Sequence, residues 1–383
     1  MKKIVYMDYS ATTYTKKEVL NEMLPYFTEY YGNPSSIYGI SADTKAAIDK
    51  ARKRAASSIN ADKNEIYFTS GGSEADNWAL KGVAFANRKK GNHIITTSIE
   101  HHAVLNSCRF LERNGFEVTY LPVDEYGFVN VNDVISAIKD NTILVSVMFA
   151  NNEIGTIEPI KEIGKICRKK HIYFHTDAVQ AVGNVPIDVK DMNIDLLSMA
   201  AHKIYGPKGT GVLYIKKGTK IDNLIHGGGQ EREKRAGTEN VAGIVGMGKA
   251  LEIAAGNLYE HSKNLTILRD KIIDNLLKIP HTRLNGPRGE KRLPANINVC
   301  FDSVKGESVL MMLDEKGICA SSGSACTSGS LDPSHVLLAI GVPHDTALGS
   351  LRITIGDGTT EDDVNYFLSV IPKIVERLRR KNG

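Results

Sequence analysis

A chain of 383 residues, 42% hydrophobic and 24% charged, is long enough for two domains and has the composition of an ordinary soluble protein. Its 48 basic and 44 acidic residues leave a net charge of +4, too even a balance for a protein whose main ligand is nucleic acid. No apolar run could span a bilayer, and the amino-terminal one, residues 4–7, is too short for a signal peptide, so no membrane partner is expected. The five cysteines, Cys108, Cys167, Cys300, Cys319 and Cys326, form no CxxC pair, which points to a reducing, intracellular home and a cytoplasmic location.

In chain order, residues 16–30 and 41–59 have the spacing of amphipathic helices, the second capped by Ser41. Between them Gly32-Asn33-Pro34-Ser35-Ser36 reads as loop. Strands are then predicted over 66–69, 94–97, 118–121, 143–149, 172–174 and 196–199. Helices alternate with them, from Ser73, over 104–113 and over 160–170. That alternation predicts an α/β fold, a mainly parallel central sheet flanked by helices. A long helical pattern from Val241 closes this large domain, expected over 16–256. After Pro280 strands near 297–301 and 351–355 and helices near 307–315 and 362–379 suggest a smaller α+β domain. It is expected to comprise 1–15 and 257–383 and to carry a small-residue loop at about 320–331. The basic tail Arg377-Leu378-Arg379-Arg380-Lys381 reads as a solvated helix end.

The chemistry sits where the strands end, as open α/β sheets place it. Thr69-Ser70-Gly71-Gly72-Ser73-Glu74 is a glycine turn opening a helix, suited to a phosphate at the helix N-terminus, though it also fits a plain helix cap. Glu100-His101-His102 offers a flat imidazole, and Asn151-Asn152-Glu153 offers amides; a solvated pair and a simple turn are the plainer alternatives. Asp177, just past the strand Ile172-Tyr173-Phe174, is costly to bury unless paired, and a pyridinium nitrogen would pair it; alone it also fits an N-cap. Lys203 follows Leu196-Leu197-Ser198-Met199 and is cut off from further strand by Gly206-Pro207-Lys208-Gly209. A lysine among apolar residues has a depressed pKa and can condense with a carbonyl, as pyridoxal phosphate (PLP) is held. Together these strand ends favour a PLP site. Later, Thr238 in Arg235-Ala236-Gly237-Thr238 is a phosphate-type donor, Cys326 in Ser321-Ser322-Gly323-Ser324-Ala325-Cys326-Thr327-Ser328 is a cysteine in a small-residue loop, and Arg352 is a candidate carboxylate clamp.

Five segments carry a resemblance that covers essentially the whole chain. Asp8-Tyr9-Ser10-Ala11-Thr12-Thr13, Gly32-Asn33-Pro34-Ser35-Ser36, Ser70-Gly71-Gly72-Ser73-Glu74, His202-Lys203-Ile204-Tyr205-Gly206-Pro207 and the Cys326 loop resemble those of cysteine desulfurases, class V, fold-type I PLP enzymes. The resemblance implies conversion of L-cysteine to alanine, with sulfur leaving as a persulfide on Cys326. Lys203 would hold PLP, Asp177 meet its ring nitrogen and His101 stack on the ring. Asn152 and Gln180 would bond the ring substituents. Gly72, Ser73 and His202 would hold the phosphate, with Thr238 from the second subunit of a homodimer. Arg352 would grip the substrate carboxylate, with Asn33. The sulfur acceptor would be an iron–sulfur scaffold protein or a tRNA-thiolation enzyme, and Cys326 could serve as an iron–sulfur ligand shared with such a scaffold. Tyr38 stands where the family usually has histidine, and Ala200 where it often has a hydroxyl residue. A selenocysteine lyase, another class V enzyme and a non-enzymatic cluster carrier are the competing readings; the cysteine spacings do not resemble a cluster-binding run.

Overall fold

The computed structural model describes residues 4–322 and 332–382. The chain starts with a short strand, β1 (Val5–Tyr6). The central sheet takes β2 (Ile66–Thr69), β3 (His93–Thr97), β4 (Glu117–Leu121), β5 (Thr142–Ser146), β6 (Tyr173–Asp177), β7 (Leu196–Ala200) and β8 (Gly211–Ile215). Their spatial order is β2-β8-β7-β6-β5-β3-β4. Neighbours are parallel except at β8, which runs antiparallel to both β2 and β7. Both faces of the inner strands are covered, which is why β5, β7 and β8 read as apolar runs rather than alternating ones. On β7 and β8, Leu196 and Leu213 join one apolar cluster with Trp78 and Ile94, while Leu197, Met199, Val212 and Tyr214 join another with Phe174 and Met247.

A second sheet, antiparallel in the order β12-β10-β9, is built from β9 (Thr282–Leu284), β10 (Asn296–Phe301) and β12 (Ser350–Thr354). Between β10 and β12 lies β11 (Ile318–Cys319), which pairs in parallel with β1. Val5, Met7, Ile297, Val299, Phe301, Ile353 and Phe367 share one core here, joined by Leu265 and Ile272 of the helix Leu258–Leu276. The amino-terminal strand is therefore cored with the carboxy-terminal half. Residues beyond it cross to the strand ends of the central sheet, where Thr13 N donates to His202 O (2.9 Å) and Lys16 N to Tyr205 O (3.1 Å). That crossing closes the site.

Some expectations need correcting. The second helix runs Gly39–Ser58 with Tyr38 at its N-cap, so Ser41 lies inside the first turn, buried, and caps nothing. The pattern from Val241 resolves into two helices, Val241–Gly256 and Leu258–Leu276, bent by 72°. β8 is a strand beyond those expected: Val212-Leu213-Tyr214-Ile215 is a buried apolar run after a glycine turn, like the other inner strands. The basic tail belongs to the helix Glu361–Asn382, and Arg379 is not merely solvated: it donates to the carbonyls of Pro280, His281 and Asp302. No single helix among the described residues is long and apolar enough to cross a membrane.

Candidate active site

β7 ends at Ala200 and passes into one 3-10 turn, Ala201–Lys203. The chain then reverses because Tyr205 adopts a left-handed φ of +63° and Gly206 packs on Ala201, where a Cβ would lie 2.9 Å from that residue's side chain and carbonyl. Lys203 Nζ, carried back over the sheet edge, donates to the carbonyls of Ser10 and Ala11, the latter at 2.8 Å. The crossing segment 8–13 thus forms the roof over the lysine.

The next strand end but one supplies an anion cradle. The helix Gly72–Ala86 begins after Gly71 with no side-chain cap, so its first N–H groups have no such partner, and the helix dipole favours an anion there. Glu74 does not cap either; it accepts from Ser70 N (2.8 Å) and pairs with Arg235. A Cβ at Gly72 would lie 2.7 Å from Val179 Cγ2 and 3.7 Å from Ala200 Cβ, so only glycine leaves room for a ligand's close approach. Ser73 lines the same wall. His202 contacts Thr12 Oγ1 through Nδ1 (3.2 Å), and burial pushes its pKa down to about 4, leaving a neutral hydrogen-bonding ring.

Between the cradle and Lys203 lie the groups suited to an aromatic ring. Asp177 ends β6 at 6% exposure and accepts from Val179 N (2.9 Å). His101 is the N-cap of the helix His102–Arg113, and its Nδ1 accepts from Ala103 N (3.2 Å), which places the ring proton on Nε2. Burial pushes its pKa down, with Asp177 opposing, so the imidazole is neutral and can lie flat on a ring. Asn152 and Gln180 line the wall, Gln180 Nε2 donating to Ser10 O (3.2 Å). Arg352, 2% exposed on β12, closes the cavity from the second sheet.

These side chains enclose about 280 Å³. A larger cavity of about 420 Å³ opens on the far side of Lys203, but Asp177, His101 and Gly72 do not line it, so the chemistry belongs to the smaller one. The residues fit PLP: an uncapped glycine-lined helix start for the phosphate, a buried carboxylate for the ring nitrogen, a flat imidazole and an amine. Asn33 and Thr238 are not among the described residues that line this cavity. Both are exposed; Asn33 Oδ1 accepts from Ser35 N (3.0 Å), and Thr238 lies in a separate cleft with Arg235 and Asn240. Cys326 lies outside the described residues. Three acidic neighbours to which the sequence assigned no role join the site. Asp8 pairs with Arg352, Asp76 faces the ring site, and Glu100 accepts from Met148 N and Thr97 Oγ1 (both 2.8 Å) with its carboxyl pushed up to about 8 by burial. Asp76 had one signal, its spacing one turn beyond Gly72.

The family model for the aminotransferase class V matches residues 5–367. The chain belongs to the class-V aminotransferase family. Within that family it is 65% identical over 381 residues to the cysteine desulfurase IscS of Clostridium botulinum (strain Hall), covering 99% of this chain and 96% of the relative. A solved NifS-like protein superposes with a TM-score of 0.92 at 40% identity, covering 98% of this chain and all of that one. A second structure, SspA in complex with cysteine, superposes with a TM-score of 0.82 at 39% identity, over 93% of this chain and 99% of that one. The mainly parallel sheet with its one reversed strand is the fold of these class-V, fold-type I enzymes.

Proposed function

We propose that the chain is a PLP-dependent cysteine desulfurase that takes sulfur from L-cysteine, leaves L-alanine and holds the sulfur as a persulfide on Cys326. The convergence of Lys203, Asp177, His101 and the Gly72–Ser73 helix start on one cavity, facing Arg352, supports this reading. Full-length similarity to proteins named cysteine desulfurase supports it independently.

Lys203 would hold the cofactor covalently, Asp177 would face its ring nitrogen, His101 would stack on it, and Asn152 and Gln180 would bond its substituents. Gly72, Ser73 and His202 would hold the phosphate. When bound, the protonated ring supplies a sink for the electron pair released at the substrate α-carbon. Lys203, released when substrate arrives, moves the proton at that carbon. Arg352 would grip the substrate carboxylate with its planar fork and so orient the substrate for reaction with Cys326. The Cys326 thiolate attacks the substrate sulfur; a sulfur–sulfur bond forms, the carbon–sulfur bond breaks, and the pair goes to the carbon side, which takes up protons and leaves as alanine.

Thr238 is exposed on a loop pinned by Arg235 to Glu74, at the start of the helix that carries the phosphate cradle. This placement suits donation across a homodimer interface, into the second subunit's phosphate site. The sulfur is destined for an iron–sulfur scaffold protein or another acceptor, in a cytoplasm that keeps thiols reduced. Asn33 would assist Arg352 at the substrate carboxylate. Incubating the chain with PLP, L-cysteine and a thiol reductant tests the reading: alanine and sulfide should appear in equal amounts, and sulfide without alanine would contradict it.

A further inference from the structure

Asp76 is 1% exposed in the wall of the cavity, one turn beyond Gly72 on the same helix. One of its oxygens, one Asp177 oxygen and one His101 nitrogen all lie within 4.8 Å of one another. Asp76 Oδ1 has no hydrogen-bond partner among the described residues and lies 3.7 Å from His175 Nε2. His175 cannot supply a balancing charge. It is held between Ser146 Oγ (2.9 Å) and Ser198 Oγ (3.1 Å), and full burial pushes its pKa down to about 3.

Two buried carboxylates this close disfavour each other's charge, so the pair favours holding one proton. Burial and then the Asp177 charge push Asp76 well above the usual carboxylate range, Glu100 adding to this and Ser198 opposing it. Burial raises Asp177 as well, but the Val179 N–H and Lys203 favour its charged form. The asymmetry assigns the proton.

We propose that Asp76 is a positioning residue that carries the single proton of the Asp76–Asp177 pair, leaving Asp177 as the ionised carboxylate that meets the cofactor's ring nitrogen. The inference rests on the cofactor reading above. Titratable groups facing the pair are Glu100 and His101 from the end of β3, His175 on β6 and Lys203 after β7. A charged residue at 76 would compete with the ring for Asp177's role; a neutral one keeps that role with Asp177.

The test compares Asp76→Asn with Asp177→Asn and wild type. In equilibrium dialysis at about pH 7, Asp177→Asn should loosen PLP by roughly tenfold or more, while Asp76→Asn stays within about threefold of wild type. Equal loosening by the two variants would overturn the assignment. Melting of the cofactor-free protein gives a second readout. An acid held neutral only in the folded state loses stability as pH rises above its unfolded pKa, so Asp76→Asn should melt higher than wild type at about pH 8 and converge with it at about pH 4. An Asn variant that melts lower than wild type at about pH 8 would show Asp76 to be charged and overturn the proposal. A wild-type chain that takes up no PLP would overturn the cofactor reading itself, and the melting curves, which need no cofactor, tell that failure apart from this one.

Discussion

Arg352 Nη2 lies 3.0 Å from Asp8 Oδ1, so the guanidinium that closes the cavity is held by a carboxylate from the amino-terminal crossing segment. The pair joins β12 to the residues just after β1, and Nη1 donates to Asn152 O (3.5 Å), which fixes the guanidinium in the cavity wall. A guanidinium fixed in a cavity wall is suited to a carboxylate ligand.

Arg352→Lys keeps the charge but loses that fork. The expected outcome is a KM for L-cysteine raised by roughly tenfold or more, the equivalent of about 1.4 kcal/mol, with PLP retained. Steady-state kinetics check it. An unchanged KM would remove Arg352 from substrate binding.

Lys203→Ala should leave PLP bound only non-covalently. Treating wild type with borohydride should fix the cofactor to the chain, and intact mass should show the adduct. The Ala variant should show none. An adduct on the variant would move the anchor elsewhere.

The central sheet was legible because its inner parallel strands are buried on both faces, and Phe174, Leu197 and Val145 stand in apolar runs. The same rule exposed Gly72, Ser73, His101, Asn152, Asp177 and Lys203, while Gln180 and His202 came from the family resemblance; all eight come together although they span 132 positions of sequence, from residue 72 to 203 counted inclusively. Arg352, a candidate carboxylate clamp from its side chain alone, joined them from another sheet. Asp76 stayed hidden because an aspartate within a helix reads as surface; nothing local says that this face turns inward beneath β7. Ser41 misled for the converse reason, since a serine before an apolar run signals an N-cap, whereas here the chain enters the helix two residues earlier and buries the hydroxyl.

Asp357 carries a pH prediction. It pairs with Lys16 and with His261 Nδ1 (2.7 Å), while its N–H donates to the Tyr205 hydroxyl (2.7 Å). Although burial pushes its pKa up, its hydrogen bonds to His261 and Lys16 outweigh that and bring it down to about 2. A depressed folded-state pKa contributes stability that is full above the unfolded value and fades as pH falls toward the folded one. Asp357→Asn should therefore lower stability at neutral pH by roughly 1–2 kcal/mol, discounted for solvent screening, and the gap should close as pH falls from about 4 toward about 2. Denaturant titrations across that range check it; a gap that widens on acidification would contradict the sign.

Ala200 Cβ would lie 3.7 Å from a Cβ built at Gly72, so position 200 borders the phosphate cradle. If the cradle lacks a donor there, Ala200→Ser should slow PLP loss during dialysis against a scavenger by roughly tenfold, the worth of one hydrogen bond to a charged group. Unchanged retention would mean that Ser73, His202 and Thr238 of a second subunit already satisfy the phosphate.

The account turns on where the sulfur goes. The PLP-loaded chain, given L-cysteine without reductant and digested under non-reducing conditions, should yield a Cys326 peptide heavier by one sulfur atom, while peptides carrying Cys108, Cys167, Cys300 and Cys319 stay unchanged. Sulfur found on Cys319 instead, or alanine formed with no sulfur on Cys326, would contradict it.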